Sequence, residues 1–298
     1  MNAASQWRME IARKVAPHYA VYTNVDAVVV LGGVARGWAD DYSDIDLVVY
    51  WREPPTETER RTVIGAVGGT VGQFDDTFAS EPDPTLRYWW EDYYLAGDQH
   101  TGLKIDVGHH LSWDMDAIIK AVTQQHEMHP LKHEILYSIK RVQVLYGVSL
   151  IQRWKTEAGR CPETLACQIV EDCLRLPPLW GAEASVVRDD WLSYTRIIAQ
   201  ISERLLRALV ALNRGYYPGS KRQQHLLDEL NIKPQDFNQR LNLLLRGEPQ
   251  QAVRLIADLH DEILTLASEH MPQADLSGVR EWFRYRRKRW ENPPAGML

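Results

Sequence analysis

One stretch constrains this chain more than any other: a strand signal that ends in two glycines and is followed, a short loop later, by paired carboxylates. Ala27-Val28-Val29-Val30-Leu31 is an unbroken apolar, β-branched run, and Gly32-Gly33 closes it, which predicts a buried strand and a turn. Without side chains, that turn lets backbone N–H groups approach an anion. Ile45-Asp46-Leu47-Val48-Val49-Tyr50-Trp51 predicts a second strand. Residues two apart in a strand share a face, about 7 Å apart, so Asp44 and Asp46 point the same way. Two carboxylates beside an apolar strand are costly unless a cation lies between them. A pair of metal ions about 3.5–4 Å apart fits such a site. Asp-x-Asp alone is common and would suit a solvated edge strand. The strand, the Gly-Gly turn and the spacing together favour the functional reading.

The chain around this motif has two textures. Up to about Ser112, short β-type runs alternate with turns. Leu86 to Leu95 and Leu103 to Val107 predict further strands. Thr56 to Val67 predicts a helix capped by Thr56, with Glu59 three residues on. The N-terminal segment predicts an amphipathic helix with Trp7, Ile11 and Val15 on one stripe. After Ser112, apolar residues recur at helical spacing in Asp114–Gln124, Lys132–Tyr146, Glu163–Cys173, Asp189–Asn213 and Gln250–Ser268. The expected fold is α+β: an α/β domain with a mixed sheet over residues 1–125, then a helical bundle over 126–298.

The glycine–aspartate stretch resembles the signature of the DNA polymerase β-type nucleotidyltransferase superfamily. That signature is an apolar residue, Gly and Gly or Ser, a spacer, then Asp-apolar-(Asp or Glu)-apolar. The chain looks most like the kanamycin- and lincosamide-type branch and its uncharacterised relatives. Gly33 stands where many members have Ser. The resemblance implies a third carboxylate on a later strand, for which Asp106 in Lys104-Ile105-Asp106-Val107 is favoured over Asp98, which lies in a turn-like segment.

By that resemblance, Asp44, Asp46 and Asp106 would bind two Mg²⁺ ions, with Mn²⁺ as an alternative. Gly32 and Gly33 would hold the phosphates of ATP or another nucleoside triphosphate. Arg36, Ser43, Lys221 and Arg222 are further candidates for nucleotide contact. A nucleoside monophosphate, AMP by family default, would pass to a hydroxyl of an unknown acceptor, an aminoglycoside-like molecule being one candidate. The general base is sought among Asp106, Glu134 and Glu171.

The alternatives are transfer to RNA or protein, or a nucleotide-binding module without catalysis. Trp282 to Trp290 interleaves aromatic and basic residues and is the one support for RNA. A net charge of −6 argues against a surface given over to nucleic acid. A terminal helix that docks its aromatics is therefore preferred. Gly32 and Gly37 have P-loop spacing, but Trp38 follows in place of Lys. His126, His129 and His133 are interrupted by Pro130, which disfavours a zinc site. His109 and His110 follow the third carboxylate and are read as structural. Cys161, Cys167 and Cys173 lack zinc spacing and are read as reduced, buried thiols. No apolar run is long enough to span a membrane, and no secretory pattern opens the chain. The cytoplasm is the default compartment, and a dimer through apolar helical surface is compatible with the sequence.

Overall fold

In a computed structural model the chain forms two compact units, Met1–Gly159 and Arg160–Leu298. The structure describes residues 1–79, 83–288 and 291. The first unit contains α1 (Ala3–Ala20), β1 (Val25–Val30), α2 (Gly32–Arg36), β2 (Ile45–Trp51), α3 (Glu57–Ala66) and β3 (Thr70–Ala79). It continues with β4 (Arg87–Leu95), β5 (Leu103–Leu111), α4 (Ser112–Thr123), α5 (Pro130–Ile139), β6 (Gln143–Tyr146) and α6 (Val148–Ala158). Six strands lie in the order β3-β4-β5-β2-β1-β6. β2 and β5 are parallel, and every other neighbouring pair is antiparallel. The sheet is mixed, as expected.

One face of the sheet is core. Val28, Val30, Ile45, Leu47, Val49, Ile105 and Val107 pack there with Met9, Ala12 and Tyr19 of α1 and Val63 and Ile64 of α3. The expected stripe on α1 is rotated. Trp7 is 42% exposed, and the buried side runs through Ser5, Met9, Ala12, Val15, Ala16 and Tyr19. α3 begins as its sequence predicts, with a capping box in which Glu59 N–H donates to Thr56 Oγ1 at 3.2 Å and Thr56 N–H donates to Glu59 Oε2 at 2.7 Å.

A buried polar network also lies in the core. Arg60 and Glu91 are 1% and 0% exposed at their side chains and pair at 3.1 Å. Trp51 Nε1–H donates to His109 Nδ1 at 3.0 Å, which leaves the imidazole proton on Nε2, 2.9 Å from Glu91 Oε1. Tyr19 donates to the same oxygen at 3.3 Å. His109 is thus a structural histidine.

Two strands escape the sequence pattern. β3 was not expected, and its register shifts between Val71 and Gln73 and again between Asp75 and Phe78, so no clean two-residue alternation marks it. The helix expected over Lys132–Tyr146 is corrected to α5 followed by β6, which pairs with β1 through Val28↔Tyr146, Val29↔Val144 and Val30↔Gln143. β6 is closed by Gly147 at φ +76°, where a Cβ would lie 2.1 Å from the Asp26 carbonyl oxygen. Residues 126–159, assigned by sequence to the helical half, belong to the first compact unit.

The second unit is helical: α7 (Glu163–Leu174), α8 (Trp180–Val187), α9 (Trp191–Leu212), α10 (Gln223–Asp228), α11 (Phe237–Arg246), α12 (Pro249–His270) and α13 (Val279–Arg284). α9 and α12 each bury one long apolar face. Arg240 of α11 forks onto Glu262 of α12 at 2.7 and 2.6 Å. The three cysteines are free and buried, and burial pushes the Cys173 thiol up to about 11. Among the described residues no helix is long and apolar enough to cross a membrane.

Candidate active site

The face of the sheet opposite the core carries the carboxylates. Strand alternation puts Asp46, Val48 and Tyr50 of β2 there, beside Asp106, Gly108 and His110 of β5. The parallel register sets Asp46 directly against Asp106. Asp44 joins them from the residue pair before β2, and carboxylate oxygens of Asp44, Asp46 and Asp106 all lie within 4.8 Å of one another. Among the described residues this is the one His/Cys/Asp/Glu group able to hold a metal ion. His126, His129 and His133 do not form one. His133 Nε2 instead lies 2.9 Å from the Glu127 carbonyl, and His129 occupies the N-cap position of α5 without a side-chain cap bond.

The glycine turn is built against this trio. The Leu31 N–H donates to the Asp46 carbonyl at 2.9 Å, and the chain then enters α2 directly rather than passing through an open turn. Gly32 sits at φ +63°, and a Cβ there would be 2.0 Å from Asp46 Oδ2. Both the backbone region and the space select glycine. Gly32→Ala is therefore expected to cost about 1–2 kcal/mol in a denaturant melt from left-handed backbone strain alone. Displacement of Asp46 should also weaken divalent-ion binding. Gly65→Ala is the control, since a Cβ at Gly65 meets nothing within 4 Å; it should leave ion binding unchanged.

The loop carrying Asp44 is pinned by α1. Arg8 is buried, and its Nε–H donates to the Ser43 carbonyl at 2.8 Å. Ser5 Oγ accepts from Ala39 N–H at 3.0 Å, and Asn2 Nδ2 donates to the Ala39 carbonyl at 2.8 Å. The Ser43 hydroxyl donates to Asp40 Oδ1 at 2.8 Å and accepts from the Asp40 N–H at 2.9 Å. Ser43 thus braces the loop. Arg36 lies 4.9 Å from the Tyr137 ring centre and 5.5 Å from that of Trp38.

Two partners of the trio went unassigned in the sequence. Lys104 Nζ lies 2.8 Å from Asp106 Oδ1 and 3.3 Å from Asp92 Oδ2. Asp92 faces Asp106 across the β4–β5 pair, so a row of carboxylates crosses three strands with one ammonium among them. The signal was available for Lys104, two residues before Asp106 and hence on its face. Asp92 is legible only once β4 is in register.

Burial pushes the Asp106 carboxyl up, Lys104 pulls it back, and a hydrogen bond shared with Asp44 raises it, leaving it at about 6. Ion binding requires the deprotonated carboxylate. Mn²⁺ affinity is therefore expected to be flat above about pH 7 and to fall about tenfold per unit below pH 6, as read by titration calorimetry. In the ion-free protein the sign is opposite. The raised group contributes stability below its ordinary value of 3.8, and that contribution is lost as pH rises through about 6.

Glu134 lies on α5 in the first unit, and the remaining candidates fall in the second. Lys221 and Arg222 are exposed at the start of α10. Glu171 accepts from the Asp275 N–H at 2.8 Å. In the aromatic–basic segment Phe283 is buried, whereas Trp282 and Tyr285 are exposed. Arg280 and Arg284 pair with Asp261 at 3.2 and 2.5 Å, and Arg286 pairs with Glu183 at 2.9 Å. Arg289 and Trp290 lie outside the described residues.

The donor set suits a hard divalent cation. Carboxylate oxygens of three residues converge, and oxygen ligands are what such a cation takes.

A nucleotidyltransferase-like protein from Exiguobacterium sibiricum 255-15 is similar at 15% identity over 95% of this chain and 82% of that one, with a TM-score of 0.40. The Cid1 poly(U) polymerase is similar at 11% identity over 46% of this chain and 40% of that one, with a TM-score of 0.26. No curated protein sequence matches. Residues 9–107 match the profile of the nucleotidyltransferase domain, a span that contains the glycine turn and all three aspartates. Over that segment the chain carries the pattern of a nucleotidyltransferase domain.

Proposed function

We propose that the chain transfers a nucleoside monophosphate, AMP from ATP by family default, to a hydroxyl of a small molecule and releases pyrophosphate. The observation that carries this is the convergence of Asp44, Asp46 and Asp106 within 4.8 Å beside Gly32, whose left-handed backbone and close approach to the Asp46 carboxylate disfavour any side chain. Asp44, Asp46 and Asp106 would hold Mg²⁺, or Mn²⁺ in its place. Such ions, when bound, neutralise the triphosphate and lower the pKa of a hydroxyl. The chain's own residues do the rest. Gly32 and Gly33 leave backbone N–H groups open to the phosphates. Arg8, Ser5 and Asn2 hold the Asp44 loop, so the carboxylates are in place before substrate arrives. Lys104 keeps Asp106 from full charge repulsion with Asp44. In the transfer, the acceptor oxygen bonds to the α-phosphorus. The bond from that phosphorus to the bridging oxygen of the β-phosphate breaks, and its electron pair leaves on pyrophosphate. The hydroxyl proton passes to Asp106 Oδ1.

Incubation with Mg²⁺, α-labelled triphosphates and pools of small hydroxylated compounds tests this. Label in a small-molecule product with matching pyrophosphate is expected. Label confined to RNA or to the protein itself would overturn the choice of acceptor. The reading places the work in a compartment supplied with nucleoside triphosphate, the cytoplasm.

A further inference from the structure

A cavity of about 320 Å³ lies in the first unit, on the same sheet face as the carboxylates. Its floor is Val48 and Tyr50 of β2, Tyr88 of β4 and His110 of β5, and its roof comes from α4 and α5. Val48 follows Asp46 on that face by two residues, about 7 Å. Between Asp106 and His110 the floor is Gly108, where a Cβ would meet His110 Nε2 at 3.4 Å and Val48 Cγ2 at 3.7 Å. The cavity therefore begins one strand repeat from the carboxylates, with a side-chain-free residue between.

Its chemistry is uneven. Most of the lining is apolar: Leu31, Met115, Ile118, Leu131, Ile135 and Ile139. Tyr88 and His110 stack with ring centres 5.3 Å apart and planes 23° apart, and burial holds His110 down at about 4, hence neutral. Among the described residues, the charged ones in the lining are Asp114 and Glu134, with no lysine or arginine.

Asp114 is the anomaly. It is 3% exposed, and among the described residues no hydrogen bond or ion pair reaches its carboxylate. Burial pushes its carboxyl up to about 6, Arg87 acting through space to lower it and Asp83 to raise it. It is therefore ionised at neutral pH. A place in the first turn of α4 gives it a favourable helix dipole. Its carboxylate oxygens are not among the sealed, unpartnered side-chain atoms; they stay accessible in the cavity lining, where a water or a ligand has to supply their hydrogen bonds.

We propose that this cavity is the acceptor subsite and that it takes a hydroxylated, mostly apolar organic amine, whose protonated nitrogen pairs with Asp114. The apolar body lies against Ile118 and Ile135, a flat ring suits the Tyr88–His110 pair, and the hydroxyl reaches past Gly108 toward the carboxylates. The assignment as acceptor site rests on nucleotidyl transfer as the activity. It also selects among acceptors. A polyhydroxylated sugar in this lining would strand hydroxyl groups at about 1–3 kcal/mol each, so the aminoglycoside-like expectation gives way to a compact amine. The volume is at the small end of ligand pockets, enough for a ring and a short tail.

The test uses shape-matched probes: phenylethyl and cyclohexylethyl amines, the corresponding alcohols and the corresponding carboxylates. Their binding to the full chain is followed by ligand-observed NMR, and Mg²⁺·ATP binding is measured on the same samples. The amines should bind at least tenfold more tightly than the alcohols, and the carboxylates not at all. Asp114→Asn should erase the amine preference while the protein still melts cooperatively. Ser138→Phe, which fills the cavity from a half-buried position on α5, should abolish binding of every probe. Equal binding of amines and alcohols, binding indifferent to both substitutions, or no binding of any probe would overturn the proposal. Mg²⁺·ATP binding without amine discrimination removes the cavity and leaves the transfer chemistry standing. Amine discrimination without Mg²⁺·ATP binding removes the acceptor role and with it the transfer chemistry.

Discussion

Asp46→Asn is expected to lower the proposed nucleotidyl transfer by about 10³-fold or more while the protein remains folded. Asp46 stands at the centre of the trio: its carbonyl is bonded to Leu31, its carboxylate touches Gly32, and it faces Asp106 in register. Asn keeps the shape and removes the charge that a divalent cation needs. Asp44→Asn and Asp106→Asn should be nearly as damaging. The double variant Asp44→Asn with Asp46→Asn should be little worse than either alone, because groups that hold ions jointly do not contribute additively. Stability should move the other way. The ion-free trio is a set of like charges in contact, so removing one relieves repulsion. Steady-state pyrophosphate release and a thermal melt in EDTA check the two halves. A variant that loses activity because it has unfolded would not support the assignment.

Glu91→Ala should cost about 3–5 kcal/mol of folding stability, the largest single effect expected outside the site. Removing the carboxylate leaves the Arg60 guanidinium buried opposite a void, takes the acceptor from Tyr19 O–H and empties the space beside His109 Nε2. Breaking one side of a buried pair is expensive because the other charge cannot return to water. Glu91→Gln should cost less, since it retains an acceptor oxygen for Tyr19 or His109. Glu91 adjoins Asp92 on β4 and pairs across to Val107 on β5. Part of the loss should therefore appear as weaker ion binding at Asp106. Urea melts with and without Mn²⁺ separate these contributions.

The elements that were legible in the sequence carry their own signals. β1 and β2 are continuous apolar runs, α3 has its capping box, and the Asp44–Asp46 pair declares itself by alternation. Asp106 could be reached because β5 alternates strictly, its inward residues Ile105, Val107 and His109 interleaved with Lys104, Asp106 and Gly108. What stayed hidden depends on pairing or on tertiary contact. β3 is broken by register shifts. β6 is four residues long and covers the far edge of β1, a requirement that local pattern cannot state. Arg8 and Ser5 look like the polar face of a surface helix, yet both are buried, because they tie down the loop before Asp44. Asp114 looks like a favourable first-turn residue, and only the packing of α4 and α5 over the sheet reveals that its carboxylate lacks a partner.

The most direct test of the central claim is a crystal structure with Mn²⁺ and a non-hydrolysable triphosphate, phased for anomalous scattering. The account predicts anomalous peaks within bonding distance of Asp44, Asp46 and Asp106 oxygens, with the phosphates against Gly32 and Gly33. Manganese bound elsewhere, or a triphosphate held away from the three aspartates, would contradict it.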